Sequence, residues 1–388
     1  MEPLRKELDE LEERGLRRVL RLLEGEQREK VVVDGKEVLN FCSNNYLGLA
    51  NDERLKNAAK EALDRYGLGS GASRLVVGNM SLHRRLEEKI AAFKGYEAAL
   101  LFNSGYTANL GAISALCGKN DIVFSDKLNH ASIVDGILLS RAEFKRYPHK
   151  DMDALEDMLK NSDGFRRKII ITDTIFSMDG DITPLPKIVE LAEKYGTWVY
   201  IDEAHATGVL GKKGKGAVEH FGLDGKVRVQ MGTLSKAVGS FGAFICGSKT
   251  LIDYLINKSR GFIYTTSLPP SICAASIVAL EIIERESELR KKLWENVAFL
   301  KEGLKELGFD TLESQTPIIP ILTKEPKITM EFSKRCYEYG IFVQGIRPPT
   351  VPEGKARLRV TVMATHKRGD LEKALDLFKK VGRELWII

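Results

Sequence analysis

From residue 51 onward the chain alternates two patterns, short continuous apolar runs and longer stretches with helical spacing. The runs are Ala98–Phe102, Ile122–Phe124, Lys168–Thr172, Thr197–Ile201, Val227–Met231 and Phe241–Cys246. Leu55, Ala58, Ala59, Ala62, Leu63 and Tyr66 mark one helix face, stopped by Gly67. Leu82, Leu86, Ile90 and Phe93 mark the next, stopped by Gly95. A strand that is apolar on both sides has to be covered on both sides. The alternation therefore predicts an α/β fold around a mostly parallel sheet. Such sheets bind ligands outside the carboxyl ends of their strands. Asn103-Ser104-Gly105-Tyr106, Asp173, Asp202 and Gly232-Thr233 all fall at those ends.

The 388 residues suit a large domain with a smaller companion rather than one core. The expected division is an amino-terminal segment of residues 1–50, a large α/β domain of residues 51–275 and a small α+β domain of residues 276–388. In the first, Leu8, Leu11, Leu16, Leu20 and Leu23 lie near helical spacing among Arg and Glu, an amphipathic helix with a possible break at Gly15. Val31-Val32-Val33 and Val38-Leu39-Asn40-Phe41 flank Asp34-Gly35, a hairpin signal. A helical pattern from Pro270 to Leu307 leads into the last domain, with strands at Ile318–Leu322, Phe342–Val343 and Leu358–Val362.

A net charge of +5, spread along the chain, fits a phosphorylated cofactor and acidic substrates and argues against a nucleic-acid surface. Cys42, Cys117, Cys246, Cys273 and Cys336 form no CxxC and no metal spacing, and most lie in apolar runs, as in a reduced cytoplasmic protein. The first residues, Met1-Glu2-Pro3-Leu4-Arg5-Lys6-Glu7, are charged, unlike a signal peptide. No apolar stretch reaches the ~18 residues of a membrane span. The expectations are a cytoplasmic protein with no metal, membrane or nucleic-acid partner.

Lys236 carries the chemistry because of its company. It lies in Gly232-Thr233-Leu234-Ser235-Lys236-Ala237-Val238-Gly239, a small, hydroxyl-rich segment. Upstream, the apolar run Val199-Tyr200-Ile201 ends in Asp202-Glu203-Ala204-His205. A lysine in such a loop can form a Schiff base, and an acid at a strand end can hold the pyridinium nitrogen of pyridoxal 5′-phosphate (PLP). Alone, Lys236 would read as a surface lysine beside a glycine turn. Asp202 and His205 at the end of a buried strand tip the balance toward PLP.

Seven segments together resemble the α-oxoamine synthases, PLP-dependent acyltransferases of fold type I. They are Ser43-Asn44-Asn45-Tyr46-Leu47-Gly48-Leu49, Gly69-Ser70-Gly71-Ala72-Ser73-Arg74, Ser104-Gly105-Tyr106, Asn129-His130-Ala131-Ser132, Phe176-Ser177-Met178-Asp179-Gly180-Asp181, Asp202-Glu203-Ala204-His205 and Thr233-Leu234-Ser235-Lys236. The resemblance implies that Lys236 holds PLP and then acts as acid and base at the amino-acid Cα. It implies that Asp202 pairs with the pyridine nitrogen, that His130 stacks on the ring, and that His205 and Ser177 reach its phenolic oxygen or hold neighbouring groups. Gly105 and Tyr106, where a strand gives way to a helix, and the Thr233 hydroxyl would bind the phosphate. Thr265 and Thr266 resemble a segment that family members donate from a partner subunit, which implies a homodimer with shared sites. The segment also reads as a capped helix start, with Ser267 before Pro269, and both can hold. Arg359 matches the arginine that fixes the substrate carboxylate. Arg357 shares its face on strand alternation, so either could be a solvated residue instead. Asn44 matches a polar active-site residue.

Within the family, three segments resemble the members that condense L-alanine with a pimeloyl thioester in biotin biosynthesis. Gly71-Ala72-Ser73-Arg74-Leu75-Val76-Val77-Gly78-Asn79 is one, with Ser73 where relatives that exclude alanine carry Thr. Ile346-Arg347-Pro348-Pro349-Thr350-Val351-Pro352 is the second and resembles an acyl-binding segment. Gly15-Leu16-Arg17-Arg18 is the third, where Arg17 or Arg18 could meet the distal carboxylate of the acyl group. Asn45 departs from the Asp of many such enzymes and also occurs in members that join glycine to acetyl-CoA, the alternative activity. The acyl donor would be acyl-CoA or an acyl carrier protein. A PLP-binding protein without turnover is a third alternative.

Overall fold

Seven strands make the larger sheet in the computed structural model, which describes residues 1–388. Their order is Ala98–Phe102, Ala243–Gly247, Val229–Thr233, Trp198–Asp202, Arg167–Asp173, Asp121–Asp126 and Glu143–Tyr147. Ala243–Gly247 runs antiparallel to both its neighbours, and the other pairings are parallel. The predicted α/β architecture is therefore present, and six of its seven strands coincide with the apolar runs. Helices cover the faces because these strands are apolar on both sides. Ile113, Ile133, Ile137, Val123, Ile171, Tyr200 and Ile245 form part of one buried cluster. Each such side chain contributes roughly 1.5–3 kcal/mol on leaving water. The carboxyl ends of the six strands that run in one direction share one edge, and there the chain places Asn103, His130, Asp173, Asp202 and the turn after Thr233.

The chain forms two compact units. One holds Leu49–Phe176 and Ile182–Arg290, including the large sheet. The other holds Met1–Gly48, Ser177–Asp181 and Lys291–Ile388. The division differs from the one expected at residues 50 and 275. Strand pairing explains the difference, because Ile341–Phe342 lies parallel to Lys36–Asn40 and joins the amino-terminal hairpin to the carboxyl-terminal strands. That hairpin, Lys30–Val33 with Lys36–Asn40, turns through Asp34 and Gly35 at φ 47° and 78°. The remaining three-stranded sheet, Ile318–Lys324, Ala356–Thr361 and Gln344–Ile346, is antiparallel throughout. The helical pattern after Pro270 divides into Pro270–Arg285 and Ser287–Glu306.

The amino-terminal helix is shorter than its leucine spacing suggests. It spans Glu2–Glu13, and Gly15 adopts φ 64°. Leu16–Leu22 is not helical, and Leu23–Glu24 instead pairs antiparallel with Val32–Val33. Four cysteines are buried and all five are free thiols. Burial pushes Cys117, Cys246 and Cys273 up to about 12, which makes them inert core groups. No helix is long and apolar enough to cross a membrane.

His366 lies fully buried and stacked on Phe41, with ring centroids 4.4 Å apart. Its Nδ1 accepts the Met363 N–H at 3.1 Å, and its Nε2 lies 3.0 Å from the Asn40 carbonyl. One nitrogen must accept and the other donate, so the ring is neutral. Burial accordingly lowers its pKa to about 4 from 6.5. Between those values the unfolded chain binds the proton and the folded chain does not, so stability is lost as pH falls through that window. His366→Gln keeps a donor and an acceptor without titrating. Its unfolding free energy should fall less than that of the unaltered chain between about pH 7 and pH 4.5, by about 2 kcal/mol. Denaturant unfolding at the two pH values measures this, and equal falls would contradict it.

Candidate active site

Lys236 sits in the turn between Val229–Thr233 and Ala243–Gly247, half-buried beside the sheet edge. Backbone bonds close the turn: Leu234 N–H to the Gly242 carbonyl at 2.9 Å, and Gly239 N–H to the Lys236 carbonyl at 2.9 Å. Gly239 has φ 70°, and a Cβ there would stand 2.4 Å from the Ala50 nitrogen. Only glycine fits both requirements. The Thr233 hydroxyl donates to the Gly242 carbonyl at 2.9 Å and accepts from Ser235 N–H at 3.2 Å. The lysine is thus held on a turn whose shape its small and hydroxyl residues fix.

Asp202 ends the strand Trp198–Asp202 and is buried. Its Oδ1 accepts Ala204 N–H, and its Oδ2 accepts Asn109 Nδ2, each at 2.8 Å. Every carboxylate oxygen has two lone pairs, so both keep one for a further donor. The next residue, Glu203, turns to the opposite side. There it pairs with Lys94 Nζ at 2.6 Å, both side chains fully buried, and accepts Ala217 N–H at 2.7 Å. Breaking such a buried pair from one side typically costs about 3–5 kcal/mol, so it anchors the strand end firmly. His205 follows, also buried.

Asp173 ends the neighbouring strand in register with Asp202. Burial, then the adjacent Asp202 carboxylate, pushes its pKa well above the ordinary carboxyl range. Its Oδ2 accepts the His130 backbone N–H at 2.7 Å. His130 caps the helix Ala131–Ser140, and its ring faces outward. Its Nδ1 lies 2.7 Å from Ser132 Oγ. Desolvation by the protein beneath lowers the ring's pKa, with Asp202 opposing and Lys236 adding to the effect. An outward, neutral imidazole suits stacking on a planar ring.

The helix Gly105–Leu116 begins at this same edge. Ser104 caps it by accepting Thr107 N–H at 3.1 Å, which leaves the Gly105 and Tyr106 amides at the positive end of the helix dipole. Asn103 Nδ2 reaches Thr265 Oγ1 at 3.0 Å and the Thr266 carbonyl at 2.9 Å within one chain. An anion site, a carboxylate with open lone pairs, an exposed imidazole and a half-buried lysine are the groups PLP requires, so these residues fit it.

The second unit contributes a different set. On the strand Ala356–Thr361, both Arg357 and Arg359 are buried. Arg357 is committed to an acid, with Nη1 2.6 Å from Asp179 Oδ1. Arg359 has only neutral partners, the Ser177 carbonyl at 2.6 Å from Nε and Asn44 Oδ1 at 3.0 Å from Nη2. Tyr46 also bonds Asn44 at 3.2 Å. Arg357 is thus neutralised by Asp179, whereas no acid pairs with Arg359.

A cavity of 560 Å³ in this unit is lined by Arg17, Arg18, Arg347 and Thr350, among others. Arg18 Nη2 lies 3.3 Å from Thr350 Oγ1, whereas Arg17 pairs with Glu12 at 3.4 Å. Arg347 is buried and grips the Arg17 carbonyl at 2.6 Å, but its Nε has no partner. Burial, and then Arg18 beside it, lowers the pKa of Arg347. Two guanidinium groups face one cavity without an acid. Ser73 lies in an irregular segment of the first unit, its carbonyl accepting from Val76 and Gly78.

Asn109 was not legible as a site residue, although it contacts Asp202 directly. The available signal was one amide inside an otherwise apolar helix. Ser132 and Asp173 were visible in motifs but carried no role.

Residues 36–378 match the family model for aminotransferase class I and II. The chain is 54% identical over 383 residues to the 8-amino-7-oxononanoate synthase of Symbiobacterium thermophilum, covering 98% of each chain. A solved structure of SPT with PLP is 32% identical at a TM-score of 0.94, covering 100% of this chain and 98% of that one. The 8-amino-7-oxononanoate synthase of Francisella tularensis is 31% identical at a TM-score of 0.78, covering 90% of this chain and 99% of that one.

Lys236→Ala should leave the fold intact, abolish the visible absorbance of lysine-linked PLP and lower turnover by more than ~10³-fold. Absorbance and steady-state rates measure this. Unchanged activity would remove Lys236 from the chemistry.

Proposed function

The chain belongs to the aminotransferase class I and II family, and on that premise we infer that it is a PLP-dependent α-oxoamine synthase condensing L-alanine with a pimeloyl thioester. The products are 8-amino-7-oxononanoate, CO₂ and the free thiol, a step of biotin biosynthesis. Full-length similarity to such synthases supports the reaction. The observation that carries the acyl specificity is the acid-free pair Arg18 and Arg347 in one cavity. Both guanidinium groups have only neutral partners, so their charge remains uncompensated until an anion binds. A pimeloyl chain brings a second carboxylate; an acetyl group brings none.

PLP, when bound, supplies an electron sink that stabilises negative charge at the amino-acid Cα. Lys236 would link to it, Asp202 would hold its pyridinium nitrogen, His130 would cover its ring, and Gly105, Tyr106 and Thr233 would bind its phosphate. His205 and Ser177 are the proposed partners of its phenolic oxygen. Lys236 Nζ, once released, takes the Cα proton of alanine. Arg359 and Asn44 bind the alanine carboxylate until it departs as CO₂. The Cα–C bond to the acyl carbon forms as the thiol leaves, and Lys236 Nζ returns a proton to Cα. Ser73 leaves room for the alanine methyl.

We propose a homodimer with shared sites. Segment 68–77 carries exposed Leu68, Leu75, Val76 and Val77, and Tyr264 is 71% exposed. Ser267 N–H bonds the Ala72 carbonyl at 3.0 Å, so the segment carrying these leucines and valines lies against the one carrying Thr265 and Thr266. Covering that surface with a second copy would bring Thr265 and Thr266 to the neighbour's phosphate site.

Arg18→Ala should weaken use of pimeloyl-CoA by ~10- to 100-fold, the cost of one charge-assisted hydrogen bond. It should do little to the methyl ester of the same thioester. CoA release with both substrates measures the difference; equal losses for acid and ester would sink the carboxylate role. Mixing Lys236→Ala chains with chains altered at both Thr265 and Thr266 should restore roughly a quarter to a half of the sites if they are shared. No recovery in the mixture would place each site within a single chain.

A further inference from the structure

Asn109 sits at the centre of a polar chain whose members are buried except for the outward His130 ring. Tyr200 Oη lies 2.8 Å from Asn109 Oδ1, and Asn109 Nδ2 lies 2.8 Å from Asp202 Oδ2 and 2.9 Å from Ser132 Oγ. Ser132 Oγ in turn lies 2.7 Å from His130 Nδ1, and Ser132 N–H points at the same nitrogen from 3.2 Å. Asn109 and Ser132 are buried, so water does not compete for these groups.

Chemistry fixes every proton in this chain. A carboxylate only accepts, so the amide must turn its NH₂ toward Asp202; the reversed amide would set oxygen against oxygen. Its carbonyl then accepts the Tyr200 hydroxyl. Tyr200 keeps that proton, because burial, then Asp202, pushes its pKa well above the ordinary phenol value. The second amide hydrogen goes to Ser132 Oγ. Ser132 must send its own hydrogen onward, and His130 Nδ1 is the acceptor within reach. His130 Nδ1 therefore receives two donors and carries no proton, which places the single proton of the neutral ring on Nε2.

We propose that Asn109 is a positioning residue that orients the Asp202 carboxylate and, through Ser132, holds His130 in its neutral Nε2–H tautomer. The inference rests on Asp202 and His130 being cofactor groups. A protonated His130 would set a cation against the ring whose nitrogen Asp202 keeps positive. A freely rotating Asp202 would lose its alignment with that nitrogen. One amide prevents both, linking two cofactor groups that come from different strands.

The test has two parts. Ring ¹⁵N resonances of ¹⁵N-histidine-labelled protein, with the His130 signals identified by their loss in His130→Gln, report the tautomer with and without PLP. Nδ1 should be unprotonated and Nε2 protonated in both; a proton on Nδ1 would overturn the proposal without any variant being made. The dissociation constant for PLP is the second readout. Asn109→Leu, of similar size, should weaken PLP binding by roughly 10- to 100-fold, whereas Ser132→Ala should change it by less than about threefold. In Asn109→Leu the kcat should fall while the KM for alanine stays near the unaltered value, a split that general loosening would not produce. PLP affinity in Asn109→Leu equal to that of the unaltered chain would overturn the orienting role. If the unaltered chain took up no PLP, the cofactor assignment itself would fail, while the tautomer would still decide the hydrogen-bond chain.

Discussion

Two carboxylates end adjacent parallel strands in register, Asp173 and Asp202, and the rest of the site answers to that pairing. Like charges side by side in a dry sheet edge are unfavourable unless donors surround them. Asp202 has Ala204 N–H and Asn109 Nδ2, and Asp173 has His130 N–H. His130 is thereby tied at both its backbone and its ring to groups that the carboxylates organise. Glu203, the third acid in the row, is drawn away by Lys94. The sheet edge thus holds one buried carboxylate fixed by two donors, which suits the pyridinium nitrogen we propose it holds. A lysine turn and a helix amino terminus complete the set.

The second unit works by the opposite imbalance. Several of its arginines have no acid partner. Arg357 is neutralised by Asp179, while Arg359, Arg347 and Arg18 are left facing neutral oxygens, sulfur or open space. Holding these charges apart from acids costs stability, which an anionic substrate bound as proposed would recover.

The alternation of apolar runs and helices made the large sheet and its functional edge legible, because strands buried on both faces have no other composition. The strand Glu143–Tyr147 carries no such pattern, because it lies at the sheet's end and reads Glu-Phe-Lys-Arg-Tyr, half-exposed and polar. The leucine spacing through Leu23 suggested a longer helix than forms. Gly15 turns left-handed, and Arg347 grips the carbonyl of Arg17, so the chain beyond continues as an open segment against the cavity. Strand alternation placed Arg357 and Arg359 on one face, but only the position of Asp179, distant in sequence, separates them. Asn109 was hidden for the same reason: its importance lies in what two other elements bring to it.

The most direct test crosses alanine and glycine with pimeloyl-CoA and acetyl-CoA and follows CoA release by the PLP-loaded chain. The account predicts efficient turnover with alanine and pimeloyl-CoA, and at least ~10-fold lower kcat/KM when either partner is exchanged, since each exchange forfeits about 1.4 kcal/mol or more of transition-state binding. Preference for glycine with acetyl-CoA would contradict it, and would leave the acid-free arginines without the substrate they are inferred to recognise.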